Sequence, residues 1–198
     1  MSDIGKIVFI HGNQIDRHGA LSSLAENVLA EATRHFVQYP QTIFVLLSGL
    51  DLPQENPETS IASVMASRLI TRGIPQRHII TQASYPETKA LMRARDRFEE
   101  CALANRLLNS LKRPVTVRFD FIACDFDCAR IKRTYRAWGM PNAHPLPVCP
   151  RDYPGIRSRR CIALLARMHQ LTDARGIGAI AREIRRSRTW ETGHPLIT

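Results

Sequence analysis

Four short, almost unbroken apolar runs alternate with stretches that carry apolar residues at helical spacing, and this alternation constrains the fold more than any other feature. The runs are residues 6–10 (KIVFI), 42–47 (TIFVLL), 78–81 (HIIT) and 115–124 (VTVRFDFIAC). A strand that is apolar on both faces must be covered on both faces, which is the situation of a parallel sheet between two helical layers. The fold class expected is therefore α/β, a three-layer sandwich with a mainly parallel sheet of about five strands. The fifth strand is placed at 144–148, weakened by Pro145 and Pro147.

The intervening segments read as helices. Leu21, Leu24, Val28, Leu29, Ala32 and Phe36 share one face, with Ser22 or Ser23 as cap and Tyr39-Pro40 as stop. Ile61, Val64, Met65 and Leu69 mark a second helix, ended by Gly73 with Pro75 beyond. Pro86-Glu87-Thr88 opens a long third helix carrying Leu91, Ala94, Phe98, Cys101, Leu108 and Leu111, closed by Pro114. Residues 125–138 form the fourth, stopped by Gly139. The chain holds 198 residues, enough for one domain with a sizeable core. Residues 1–150 read as that domain. Residues 151–198 read as a basic helical extension packing on it, with helices at 157–170 and 177–188.

Charge separates these two parts. The net charge is +10, and the bases are 24 Arg against 4 Lys. The last 48 residues hold 10 of those Arg and only 4 acids. A small anionic ligand held by tail arginines folding over the strand ends accounts for that excess. Nucleic acid is the weaker reading, because Trp190 is the only aromatic residue near Arg182, Arg185 and Arg186 and base-stacking interleaving is missing. Ordinary apolar and charged fractions argue against an acidic disordered chain, and no apolar stretch approaches a membrane span. The start lacks a signal-peptide pattern, so the expected location is cytoplasmic, with no membrane partner. Cys101, Cys124, Cys128, Cys149 and Cys161 form no CxxC pair. They read as reduced, mostly buried thiols, and no metal is expected.

Ligands of open parallel sheets bind outside the carboxyl ends of the strands. The residues leaving each strand are thus the candidates. His11, Gly12, Asn13 and Gln14 follow the first strand, and Ser48 and Gly49 the second. Ser84, Glu87 and Thr88 follow the third, and Cys124, Asp125, Asp127 and Arg130 the fourth. Gly12-Asn13 and Ser48-Gly49 suit turns whose backbone approaches a ligand closely. His11, Asp125 and Asp127 are the candidate catalytic groups. Asp125 and Asp127 equally suit helix capping, His11 equally suits a structural hydrogen bond, and Arg130 suits either an anion or an ion pair with Asp127. There is no GxGxxG, Walker A or GxSxG motif.

The order of these pieces resembles the domain of unknown function 218, the SanA/ElyC/YdcF-like family, over residues 5–150. Val45-Leu46-Leu47-Ser48-Gly49 matches its second strand. Ala62-Ser63-Val64-Met65 followed by Gly73-Ile74-Pro75 matches the next block, and Thr88 matches its loop threonine. Cys124-Asp125-Phe126-Asp127-Cys128-Ala129-Arg130 keeps the aromatic residue and the arginine of its last motif. Several polar positions of the pattern are changed, to Leu50, Ile61, Gln82, Glu87, Ala90, Leu91 and Asp127. The resemblance implies a Rossmann-like sandwich and, from one subgroup, S-adenosylmethionine as a cofactor. The leading expectation is a small-molecule enzyme for a nucleotide-like or adenosylmethionine-like ligand, with transfer or cleavage chemistry. A non-catalytic sensor of such a metabolite stands beside it, and a nucleic-acid-associated protein acting through the basic tail comes third.

Overall fold

The computed structural model describes residues 6–11, 20–47, 61–81, 97–110 and 118–149, together with residues 160, 161 and 164. Five strands form one sheet: β1 (Ile7–His11), β2 (Ile43–Leu47), β3 (Ile79–Ile80), β4 (Phe119–Cys124) and β5 (Ala143–Val148). Every pairing is parallel and the order is β3-β2-β1-β4-β5. This is a Rossmann-like, doubly wound arrangement. The chain starts in the middle of the sheet, winds outward through β2 and β3, and then returns past β1 to lay down β4 and β5.

The helices are α1 (Ser23–Gln38), α2 (Ile61–Thr71), α3 (Arg97–Ser110) and α4 (Asp125–Ala137). Right-handed crossovers in opposite directions place them on opposite faces. Leu24, Val28, Leu29 and Ala32 of α1, with Met65 and Leu69 of α2, cover Val8, Ile10, Phe44, Leu46 and Ile122. Leu103, Leu107 and Leu108 of α3, with Ile131 and Tyr135 of α4, cover Phe9, Val45, Leu47, Phe119 and Phe121. Alternate residues of each strand thus feed alternate cores, as the pleat requires.

Local signals set the boundaries. The Ser22 hydroxyl accepts a hydrogen bond from the Ala25 amide at 3.3 Å and caps α1. Gly73 and Gly139 take φ of +90° and +75°, where glycine alone avoids a steric penalty, and so end the turns after α2 and α4. The third strand is shorter than the expected 78–81. Pro75 opens a 3-10 turn over Gln76–His78, and only Ile79–Ile80 pair with β2. The fifth strand runs a full six residues despite its two prolines. It lies at the sheet edge, where a missing N–H disrupts no ladder and helps block edge-to-edge association.

The start of the long third helix and residues 115–117 of the fourth run lie outside the described residues. So does the extension, except for residues 160, 161 and 164, which are helical. No helix among the described residues is long and apolar enough to cross a membrane.

Candidate functional site

Strand order picks two of the four strand ends. The direction of winding reverses between β1 and β4, and the next described helix after β1, α1, covers one face while α4 covers the other. A reversal of this kind is where open α/β sheets bind ligands. Ile10 pairs with Ile122, which puts His11 and Cys124 at the rim on neighbouring strands. Gly12, Asn13 and Gln14 follow directly but, like Ser48, Gly49, Ser84, Glu87 and Thr88, lie outside the described residues.

On the β4 side, α4 begins immediately. Cys124 is its N-cap residue, buried and extended, and offers no side-chain cap. Asp125 and Asp127 both sit in the first turn, where the exposed amide groups favour negative charge. Asp125 Oδ1 accepts from the Phe126 amide at 2.7 Å, and its Oδ2 meets the Arg160 guanidinium at 3.1 Å. Asp127 pairs with Arg130 one turn along, also at 3.1 Å. Arg130 therefore reaches the neighbouring carboxylate through one nitrogen. Its Nε is buried and makes no hydrogen bond among the described residues.

On the β1 side, His11 points away from the rim into the core beneath α3 and α4. It is fully buried, and both ring nitrogens are engaged: Nδ1 with the Glu100 carboxylate at 2.7 Å and Nε2 with the Tyr135 hydroxyl at 2.8 Å. In a neutral imidazole one ring nitrogen donates and the other accepts, so His11 can link the two partners as donor to one and acceptor from the other. Tyr135 reaches this point from the last turns of α4. Its ring lies among Phe119, Phe121 and Phe9, with centroids 5.0, 5.4 and 6.3 Å away. His11 thus stands behind the rim, one strand residue from Gly12, and touches protein groups on both sides.

Glu100 and Tyr135 escape a reading by strand ends, since each lies in mid-helix. The available signal was a glutamate and a tyrosine on helical faces otherwise apolar, as Cys101, Leu108 and Ile131 are.

A second polar cluster lies at the opposite end of the sheet. Asp120, the second residue of β4, is 1% exposed and alternates onto the α1 face. Lys6 Nζ lies 2.5 Å from its Oδ2, and His144 Nδ1 and Arg118 Nε lie 3.4 and 3.9 Å from its Oδ1. The last turn of α1 brings His35 against the same end. Burial first, and the Lys6 ammonium second, hold its imidazole below the usual histidine pKa, with Asp120 opposing. A single aspartate inside an apolar run was the sequence signal for this cluster.

The cysteines divide in two. Cys101, Cys124 and Cys128 are buried and Cys149 and Cys161 exposed, all as free thiols. Burial, reinforced by Asp127, pushes the Cys128 thiol up to about 12. Among the described residues no group of three or more His, Cys, Asp or Glu is placed to hold a metal ion.

No family model matches the chain, and no curated protein or solved structure matches it either. The family resemblance rests on its motifs alone.

Proposed function

We propose that this protein is a small-molecule enzyme whose ligand lies between the carboxyl ends of β1 and β4. The observation that carries the reading is the strand order, which places the reversal of winding between these two strands. The ligand class proposed is nucleotide-like or adenosylmethionine-like, with transfer or cleavage chemistry.

The side chains at the rim fit a ligand with charges of both signs. Two carboxylates, Asp125 and Asp127, occupy the first turn of α4 and suit an ammonium or sulfonium group. Arg130 has a buried Nε without a hydrogen bond among the described residues and suits a carboxylate or phosphate. Adenosylmethionine presents both kinds of charge, and when bound it supplies a transferable alkyl group. In this reading Asp127 exchanges its contact with Arg130 for the cationic part of the ligand, and Arg130 turns to the carboxylate. Asp125 is the candidate acid or base at the rim. His11 stays in the core and, with Glu100 and Tyr135, fixes the end of β1 from which Gly12-Asn13 departs.

A second reading, a non-catalytic sensor of the same ligand class, draws on the engagement of the three candidate catalytic groups. His11 holds two partners, and Asp125 and Asp127 each hold an arginine. One experiment separates them. The full chain is incubated with adenosylmethionine, ATP or AMP, and thermal shift is measured beside turnover by mass spectrometry. Arg130→Ala should weaken binding by about ten- to a hundredfold, the loss of one charge-assisted contact, while its melting temperature without ligand stays unchanged. Unchanged affinity would overturn the site. A shift without turnover favours the sensor, and no shift with any of the three removes the ligand class.

A further inference from the structure

Cys149 is the first residue after β5, at the same edge of the sheet as the start of α4. Its thiol is exposed, and the Arg160 guanidinium lies 3.5 Å from its sulfur. The same Arg160 nitrogen meets Asp125 at 3.1 Å. The next residue in the chain is Cys161, also exposed and on the same turn of helix. The residue that touches one exposed cysteine is thus the chain neighbour of the other, and its guanidinium lies against Cys149. The buried Cys128 is the internal contrast, its thiol pushed up to about 12 and away from solvent.

We propose that Cys149 and Cys161 form a redox-active dithiol, with Cys149 as the attacking thiol, Cys161 as the resolving thiol and a hydroperoxide as the oxidant. The Cys149 thiolate attacks a peroxide oxygen. An S–O bond forms, the O–O bond breaks, and hydroxide leaves to be protonated to water. Cys149 is now a sulfenic acid. The Cys161 thiolate attacks its sulfur, an S–S bond forms, the S–O bond breaks and a second hydroxide leaves as water. Two thiols have lost two electrons and two protons, and the peroxide has taken up both. The disulfide ties the end of β5 to the segment bearing Arg160 and makes the contact of that segment with Asp125 permanent. Disulfide closure needs the two Cα atoms to come within about 7 Å of each other.

The test uses the full reduced chain and hydrogen peroxide at one equivalent. Intact mass should fall by two hydrogen atoms, and peptide mapping should join Cys149 to Cys161 within one chain. In Cys161→Ser, dimedone should trap a sulfenic acid at Cys149; Cys149→Ser should give neither product. Arg160→Met should lower the yield of the intramolecular disulfide, by removing the contact that holds the segment bearing Cys161 against Cys149. Oxidation first at Cys161, a disulfide only between chains, or an unaltered mass would each overturn the proposal. None of these readouts depends on the ligand at the ends of β1 and β4.

Discussion

Two buried carboxylates, Glu100 and Asp120, mark opposite ends and opposite faces of the same pair of strands, and they are neutralised differently. Glu100 closes a chain of hydrogen bonds through His11 to Tyr135, in which every member is nearly free of solvent contact. Asp120 is just as deeply buried, but its partners are exposed: Lys6 at 42%, His144 at 46% and Arg118 at 69%. The first cluster works in a low dielectric, where each partner is indispensable. The second is screened and redundant, because two cations, Lys6 and Arg118, and the His144 ring all lie beside one anion. Position in the fold explains the contrast. The His11 end is roofed by α3 and α4, whereas the Asp120 end lies where the strands enter the sheet.

The largest effect expected of this contrast is at Glu100. Glu100→Leu should cost about 2–3 kcal/mol, because it removes the carboxylate hydrogen bonded to the buried imidazole. Urea denaturation measures it, and a cost under about 1 kcal/mol would mean that the chain of bonds is slack. Tyr135→Phe keeps the ring packing and removes only the hydroxyl, so about 1–3 kcal/mol is expected by the same measurement. At the other end, Lys6→Met should cost about 1–2 kcal/mol, since His144 and Arg118 remain beside Asp120. A loss as large as that of Glu100→Leu would erase the distinction between the two ends.

The smallest effect is a pH dependence at His35. Its folded-state pKa lies below 6.5, the value it would have in an unfolded chain. The unfolded chain therefore takes up the proton first, and stability complete above about pH 6.5 declines as pH falls through the folded-state pKa. His35→Gln should flatten that decline between about pH 7.5 and pH 5.5, read as the change in urea midpoint. An unaltered slope would assign the acid sensitivity to other groups.

Much of the scaffold was legible because its signals are local. Ser22, Gly73 and Gly139 act through backbone geometry within a turn, and the continuous apolar runs announce strands covered on both faces. Asp125, Asp127 and Arg130 were legible as a group because helical spacing brings them to one turn, and the ion pair between Asp127 and Arg130 is one of the two readings that spacing allowed. The orientation of His11 was not legible. A residue at a strand end faces the rim or the core according to the pleat, and its partners Glu100 and Tyr135 stand 89 and 124 residues away. Asp120 was visible as an oddity inside the run 115–124, yet its partners come from β1, β4 and β5 and assemble only when the strands are side by side.

Sequence by itself determined that this chain builds helices and strands in alternation, that its sheet is parallel and covered on both faces, and that a basic extension follows. These properties depend on hydrophobic periodicity and turn chemistry, which act over a few residues. Tertiary structure decided the strand order, and with it which two strand ends meet. It also decided that His11 turns inward and that Arg160 reaches both Asp125 and Cys149. The reason is physical: a parallel sheet is joined through long crossovers, so each strand's neighbours are chosen by the packing of whole helices and not by any signal within the strand.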